Sequence, residues 1–190
     1  MNRSSIYKIL STIGLVMTAV LLIASAALFF TQNFIHTQVT QQLEPQKIVF
    51  PAAGSAAINS LNAVDKAAVS KYAGQQVVTG AQASVFANNY IAAHIKTISG
   101  DKAYAELSTE SRSDPTNAKL AGKVDTVFKG ETLRGMLLNA YAFDTMATVA
   151  LFAAYGAAIA GLIMLVLSLL GYSYSQKTDT TKKSATKKRK

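Results

Sequence analysis

Two long apolar runs without a charged residue bracket a mostly polar middle of the chain. The runs cover residues 9–30 and 146–170. At 1.5 Å of rise per residue they form helices of about 33 and 37 Å, enough to cross a hydrocarbon core about 30 Å thick with some tilt. The pattern predicts an all-α membrane protein with two transmembrane helices, a short N-terminus (1–8), a central region (31–145) and a C-terminal tail (171–190).

The central region also carries helical periodicity. Residues 31–44 contain no Gly or Pro, so the first helix is expected to project beyond the apolar run as far as Pro45. Residues 81–99 place apolar side chains on one helical face and are followed by Gly100, a residue type that commonly ends helices. A last helix is predicted to build up from residue 118 and to lead into the second run. We therefore expect both transmembrane helices to extend into a helical extracytoplasmic domain.

The segments between these helices are predicted to be shorter. Residues 47–50 are a candidate for extended structure, and residues 52–71 are predicted to form a small-residue helix with a break near Asp65. A further short helix is predicted over residues 102–107. The stretch 108–116 is rich in Ser, Thr and Asp and is therefore predicted to be an exposed, mobile loop.

Basic residues flank the outer ends of both runs and predict the orientation. Arg3 and Lys8 precede the first run. The region between the runs is nearly neutral, with ten basic and nine acidic residues, and most of the formal net charge of +9 lies in the tail. Because Lys and Arg close to a span disfavour translocation, both termini are predicted to be cytoplasmic and the central region extracytoplasmic, in a plasma membrane.

The tail is a low-complexity run of Lys, Thr and Ser that is predicted to be disordered. Cations next to the cytoplasmic end of a span attract anionic lipid at about 1 kcal/mol each. The predicted lipid head-group contacts are the basic residues of the tail: Lys177, Lys182, Lys183, Lys187, Lys188, Arg189 and Lys190. No aromatic residue follows Tyr174, so the tail cannot stack on bases and nucleic acid is not an expected partner.

The first run has one competing interpretation, a cleavable signal peptide. Ala24-Ser25-Ala26 has the small-residue form of a cleavage site. The run is longer than a signal-peptide core of about 7–15 residues and continues through Phe30 beyond the candidate site. An uncleaved anchor is therefore the favoured interpretation.

Composition limits the chemistry of the chain. The absence of cysteine excludes disulfides, thiol nucleophiles and Cys-ligated zinc or iron–sulfur sites. No glycine-rich phosphate-binding loop, HExxH zinc motif or GxSxG nucleophile motif occurs in the sequence. No cofactor is therefore expected, and the protein is predicted not to be an enzyme.

The second run contains small residues at the four-residue spacing that lets helix backbones approach closely. The pairs are Gly156 with Ala160 and Ala157 with Gly161. Matching positions in the first run are Ser11, Gly14, Thr18, Ala19 and Ser25. Packing of the two transmembrane helices on each other is one explanation, and self-association or a partner's transmembrane helix is the other.

Two charged residues lie just before the second run. Arg134 precedes it by about 16 Å of helix, and its expected partners are Glu131, Asp144 or an acid on the first helix. A lipid head group or a partner is the alternative contact for Arg134. Asp144, at the edge of the run, is expected to be hydrated or capped rather than buried.

Four segments resemble a known family: residues 71–75 (KYAGQ), 82–94 (QASVFANNYIAAH), 102–107 (KAYAEL) and 131–141 (ETLRGMLLNAY). They are similar to segments of a family of actinobacterial two-span membrane proteins of uncharacterised function, and the resemblance covers most of the chain except the tail. Members often carry the label of an aromatic ring-opening dioxygenase. The resemblance therefore implies a two-span membrane protein, and the label implies an iron-dependent enzyme.

The residues fit that label poorly. A non-haem iron oxygenase needs two His and one carboxylate that converge on the metal. The chain has only His36 and His94, and nothing in their spacing brings them together. His36 is expected at the membrane interface or in solvent, and His94 is expected to form a hydrogen bond between helices.

Three functions remain as hypotheses. The leading one is non-catalytic: a structural or interaction protein of the cell envelope, or an accessory subunit, with a protein partner or in a homo-oligomer. The alternative is a lipid or small-ligand binding module that uses a groove between central helices near Tyr90, His94 and Tyr104, with Arg134 as a further candidate contact. The ring-opening dioxygenase is the remote third. Membrane lipids are expected partners in each case.

Overall fold

The structure is a computed structural model that describes residues 3–187, with the side chains of residues 5–177. Seven α-helices are described: α1 (Arg3–Leu43), α2 (Ala56–Asn59), α3 (Ala63–Ser70), α4 (Gly80–Val85), α5 (Ala92–Ser99), α6 (Tyr104–Ser113) and α7 (Ala118–Lys187). A π-helical segment, Phe86–Ile91, joins α4 to α5. Among residues 3–187 there is no β-strand, and Val49 and Gln76 form an isolated antiparallel bridge. The all-α prediction is therefore confirmed.

Helices α1 and α7 contain the two apolar runs, and both are long and apolar enough to cross a membrane. Helix α1 ends where the sequence predicted, because Pro45 lies in a 3-10 turn, Glu44–Gln46, that follows Leu43. Helix α7 begins after Asn117, whose Oδ1 accepts the Leu120 N–H at 3.0 Å. This side-chain acceptor satisfies one of the N–H groups that every helix start leaves free.

The backbone of α7 is helical as far as Lys187, which differs from the disordered tail predicted from residue 171. A helix that already exists extends residue by residue without a new nucleation cost, and neither Gly nor Pro follows Gly171. Of the predicted head-group contacts, Lys177 is exposed. The side chains of Lys182, Lys183 and Lys187, and the whole of Lys188, Arg189 and Lys190, lie outside the described residues.

The chain divides into two compact units. The first comprises the described residues up to Asn33 and from Thr148 onward, and the second is Phe34–Ala147. In the first unit the buried residues include two series with seven-residue spacing: Ser11 and Thr18 on α1, and Ala154, Gly161, Ser168 and Ser175 on α7. A seven-residue repeat keeps one face of each helix turned toward its neighbour when two helices wind around each other with a left-handed twist.

Phe50 lies in the centre of the core of the second unit. Its ring centroid is 5.4 Å from that of Tyr72 and 5.0 Å from that of Phe86, and its N–H donates to the Gln75 carbonyl at 2.9 Å. Buried apolar residues from most helices belong to the same core: Val39, Leu43, Ile58, Val69, Val77, Ala87, Ile91, Ile95, Leu107, Val127 and Leu137. The predicted extended segment 47–50 is therefore present, as one bridge rather than a strand.

The predicted helix over residues 52–71 is split into α2 and α3. Residues 60–62 separate them because Asn62 caps α3: its Oδ1 accepts the N–H groups of Val64 and Asp65, both at 3.0 Å. An Asn side chain in this role favours a new helix start over continuation of the preceding helix. The break therefore comes before Asp65 rather than at it.

Residues 80–99 confirm the predicted helix over 81–99. Thr79 caps its start in a reciprocal arrangement with Gln82, and Gly100, at φ +68°, ends it as predicted. The left-handed conformation at position 100 is one that glycine adopts without steric cost.

Helix α6 runs to Ser113, so the prediction of a mobile loop over residues 108–116 is wrong for residues 108–113. Hydroxyl side chains stay compatible with the helix because they bond back to carbonyls four residues earlier. Thr109 Oγ1 donates to the Ala105 carbonyl at 2.9 Å, and Ser113 Oγ donates to the Thr109 carbonyl at 3.0 Å. The helix stops shortly before Pro115, which disfavours helical backbone in the residue that precedes it.

Candidate functional site

Tyr90 and His94, two of the three residues predicted to line a ligand groove, lie together on the helix formed by residues 80–99. Their ring centroids are 4.4 Å apart, and His94 Nδ1 lies 2.8 Å from the Tyr90 carbonyl oxygen. A carbonyl oxygen only accepts, so Nδ1 donates. The prediction that His94 forms a hydrogen bond between helices is therefore wrong, since this bond stays within one helix. Tyr104 instead contacts Phe128 of α7, with the rings tilted by 42° and their centroids 5.6 Å apart.

His94 lines an open polar cleft of about 630 Å³. Asp65 in this cleft accepts from the side-chain amides of Asn62 at 2.5 Å and Asn89 at 2.7 Å. Lys96 and Asp101, also in the lining, form an ion pair at 3.2 Å. Neither Tyr90 nor Tyr104 lines the cleft. With charges of both signs along its walls, the cleft suits a small polar solute better than an apolar one.

The two histidines are engaged at separate places. His36 Nδ1 lies 2.6 Å from Asp144 Oδ1, whereas His94 bonds to its own helix. Among residues 5–177 no group of three His, Asp or Glu side chains could hold a metal ion. The side chains therefore do not supply the two-His, one-carboxylate set that a non-haem iron oxygenase requires.

Asp144 brings together side chains and backbone from three helices. Its side chain is 17% exposed and pairs with His36 of α1. Gly80, the first residue of α4, packs so closely on it that a Cβ at position 80 would lie 2.2 Å from the Asp144 Cβ. Asp144 is thus paired and largely buried, whereas the sequence predicted a hydrated or capped acid. The sequence placed it at the edge of the apolar run but gave no sign of its two neighbours.

Arg134 pairs with Glu131, one of the partners expected from the sequence, at 3.1 Å between Nη1 and Oε2. Its Nη2 lies 3.4 Å from Oδ1 of Asn88 in the π-helical segment. The Nε atom is buried and has no hydrogen-bond partner in the part of the chain that the structure describes. Arg134 therefore links α7 to the π-helical segment, and its guanidinium is turned mainly toward other parts of the same unit.

The four residues predicted to pack transmembrane helices are divided between two faces of α7. Gly161 is buried against Leu21 and Leu22 of α1, and Ala157 is half-buried. Gly156 and Ala160 are exposed, and a Cβ on Gly156 would meet nothing within 4 Å. The contact between α1 and α7 therefore involves only the second pair of this set, and packing of Gly156 and Ala160 on a second copy or a partner stays a prediction.

The close contacts of the first unit involve glycines opposite serines. A Cβ on Gly14 would lie 2.1 Å from Ser168 Oγ, and a Cβ on Gly171 would lie 2.6 Å from Ser11 Oγ. Ser25 Oγ donates to the Ala154 carbonyl at 2.8 Å. Sequence reasoning named Ser11, Gly14, Thr18 and Ser25 but missed Ser168 and Gly171. A search for small residues at seven-residue spacing would have found Ser168.

A groove of about 480 Å³ lies between α1 and α7 in the second unit and was not predicted. Ile35, Val39, Leu43, Leu137 and Ala140 contribute to its apolar lining. Three large apolar side chains in the lining remain open to solvent: Phe34 is 64% exposed, Met136 63% and Phe143 50%. Their exposure leaves a continuous apolar surface that the described residues do not cover.

Uncharged amides supply the polar part of this groove. Gln38, Gln42 and Gln46 follow one another at four-residue intervals, and Asn139 contributes from α7. Among the side chains of residues 5–177, no Lys, Arg, Asp or Glu lines the groove. Sequence reasoning treated these residues as helix extensions only. The sequence signal for this groove that was missed is the spacing of Met136, Asn139 and Phe143, which places all three on one face of α7.

The four residues predicted as ligand or partner contacts therefore occupy three places. Tyr90 and His94 lie together, Tyr104 contacts Phe128, and Arg134 is bonded to Glu131 and Asn88. Comparison of the chain with protein-family models, curated proteins and solved structures finds no match. The function is accordingly inferred from the geometry of the groove, the cleft and the apolar helices.

Proposed function

We propose that the protein is a non-catalytic integral membrane protein of the cell envelope that acts by binding a partner through its central helical unit. The observation that most directly supports this proposal is the exposed apolar surface of α1 and α7. Only 11% of the most apolar window of each helix is buried, and Ile23, Phe30 and Phe152 are each at least 70% exposed. A surface of this kind is stable when hydrocarbon rather than water covers it.

The proposed orientation places both termini in the cytoplasm and residues 31–145 outside. It is supported by the distribution of charge, because basic residues concentrate before residue 9 and after residue 176 while the region between the runs is nearly neutral.

A binding role is favoured over catalysis by what the second unit offers. It contains an uncovered apolar groove and an open polar cleft, both of sizes typical of ligand sites. Its histidines and carboxylates are committed to pairs such as His36 with Asp144 and Lys96 with Asp101. The partner would be a protein, a second copy of the chain or a component of the envelope.

Native mass spectrometry of the full-length protein, extracted gently from its own membrane and combined with metal analysis, tests this proposal. We expect bound protein or lipid at a fixed stoichiometry and no stoichiometric iron. An unaccompanied monomer that carries one iron per chain would contradict the proposal and would favour the oxygenase. The intact mass also shows whether the first run is retained, as proposed for an anchor.

Binding of a small polar solute in the cleft around His94 is a second candidate function. It is favoured by the charges of both signs in that cleft, Lys96 and Asp65 among them. In the same experiment it would be supported by a small bound mass that disappears in His94→Ala and persists in Tyr104→Phe, since Tyr104 does not line the cleft.

A further inference from the structure

We propose that the groove between α1 and α7 holds the acyl chain of a lipid that comes from the bilayer around the two apolar runs. The residues that carry this inference are Phe34, Val39, Leu43, Met136, Leu137 and Phe143. The inference rests on the proposed membrane location and deepens it by naming one ligand of the second unit.

The lining selects an uncharged, largely apolar occupant. None of the described residues that line the groove is charged, although the region between the runs carries ten basic and nine acidic residues. A phosphate, a carboxylate or a charged peptide would lose its hydration there without gaining a counter-charge. The amides of Gln38, Gln42 and Asn139 can both donate and accept hydrogen bonds, which suits the ester or hydroxyl groups at the polar end of a lipid chain.

The groove begins close to the apolar runs along both helices. Phe34 follows Phe30 by four residues in α1, and Phe143 precedes Met146 by three residues in α7, so each step is about one helical turn. From Phe34 to Gln46 the lining extends over about 18 Å of helix, comparable with the roughly 15 Å that one leaflet contributes to the hydrocarbon core. An acyl chain thus matches the groove in length and has a short path into it.

The concave shape of the groove favours a ligand over a second copy of the chain. In a two-fold dimer the same surface meets itself. Two concave surfaces set opposite each other enclose a larger void instead of filling one, and protein interfaces do not tolerate such voids. A flexible chain fills the space between Phe34 and Met136 without this penalty.

Tryptophan fluorescence in proteoliposomes tests the proposal directly because the chain has no Trp of its own. Met136→Trp places a reporter at the groove, about 15 Å of helix from Met146. Phe128→Trp is the matched reporter on the same helix outside the groove lining. Phe152→Trp, in the second apolar run, reports whether that run lies in the bilayer. The probe is phosphatidylcholine with brominated acyl chains, which quenches Trp on contact.

We expect brominated lipid to lower the emission of Met136→Trp by about half relative to unbrominated lipid, because quenching requires contact, while Phe128→Trp is unaffected. Ala140→Phe, which fills the groove, should abolish the quenching of Met136→Trp. Ala142→Phe, the same substitution at an exposed position outside the lining, should not. Should Ala140→Phe fail to fold, Gln42→Glu introduces a charge at an exposed lining position and should release the chain.

Equal quenching of Met136→Trp and Phe128→Trp would overturn the proposal, as would quenching of Met136→Trp that survives both groove variants. A dimer without quenching would assign the groove to a second copy instead. Quenching of Phe152→Trp alone would leave the membrane location intact and remove only the lipid-chain assignment. No quenching at Phe152→Trp would reject the membrane location itself.

Discussion

At Gly80 the backbone of α4 lies directly against a side chain of α7. A Cβ at this position would be 2.2 Å from the Asp144 Cβ and 2.7 Å from its Cγ, distances that no packed pair of carbon atoms tolerates. The crowding involves the base of the Asp144 side chain rather than its flexible end. Rotation of the carboxylate therefore cannot relieve it, and Gly80 is required by contact rather than by backbone conformation.

Gly80→Ala is accordingly predicted to destabilise the second unit by about 1–3 kcal/mol, the usual cost of overpacking. For a chain of this size that corresponds to a fall in Tm of roughly 2–12 °C. Thermal unfolding in detergent, followed by far-UV circular dichroism, measures it. The double variant Gly80→Ala with Asp144→Gly lacks the Cβ that causes the clash, so it should recover part of the lost stability. It also lacks the pair between Asp144 and His36.

Gly135→Ala is the matched control. Gly135 lies in the interior of α7, and a Cβ there would meet nothing within 4 Å. Alanine is favoured over glycine inside a helix by up to about 1 kcal/mol, so this variant should be unchanged or more stable. A Gly80→Ala protein as stable as Gly135→Ala would show that α4 and α7 are not in the contact described.

At the scale of the elements, a seven-residue repeat of small and hydroxyl side chains defines how α1 and α7 meet in the first unit. Ser11, Thr18 and Ser25 follow this spacing on α1. We call this row of side chains and the α7 residues that face it the seam. In hydrocarbon, apolar burial supplies no driving force between helices. The seam is therefore stabilised by close packing and by hydrogen bonds such as that from Ser25 to the Ala154 carbonyl.

The seam predicts that Ser11→Cys with Gly171→Cys forms an intramolecular disulfide. A Cβ on Gly171 would lie 3.9 Å from the Ser11 Cβ, within the range of about 3.5–4.5 Å found in disulfides. Mild oxidation in membranes should remove two hydrogens from the intact mass. Because the chain has no other cysteine, no competing bridge within one chain can form.

Leu10→Cys with Gly171→Cys serves as the control for this cross-link, since Leu10 is 65% exposed and turned away from the seam. It should remain reduced within the monomer. Equal cross-linking of both pairs, or a disulfide-linked dimer from the Ser11 pair, would contradict the described packing.

The sequence predicted the elements whose signals are local and missed the contacts between residues that are distant along the chain. Apolar runs, the stripe over residues 81–99 and the stop signals Pro45 and Gly100 are local, and the structure follows them. Residues 108–113 misled the prediction because Ser and Thr favour loops only where their hydroxyls leave the helix, and in α6 they bond back to it. The pairing of His36 with Asp144, and the groove, depend on residues about a hundred positions apart, which periodicity cannot bring together.

At the scale of the whole molecule, the two units differ in the surface they present. The unit that contains the apolar runs exposes side chains such as Ile23 and Phe152, whereas Phe34–Ala147 buries a core around Phe50 and presents a mixed, charged surface. The contrast supports one unit in lipid and the other in water. The charge of the tail is the basis of our proposal that the second unit lies on the outer side of the membrane.

Accessibility of single cysteines in intact cells tests this central claim most directly, because the natural chain has none. Ser113→Cys lies at an exposed position at the end of α6, and Gln176→Cys lies at an exposed position beyond the second apolar run. With a membrane-impermeant maleimide we expect Ser113→Cys to react in intact cells and Gln176→Cys to react only after permeabilisation. Protection of Ser113→Cys, or labelling of Gln176→Cys in intact cells, would contradict the two-span account with cytoplasmic termini.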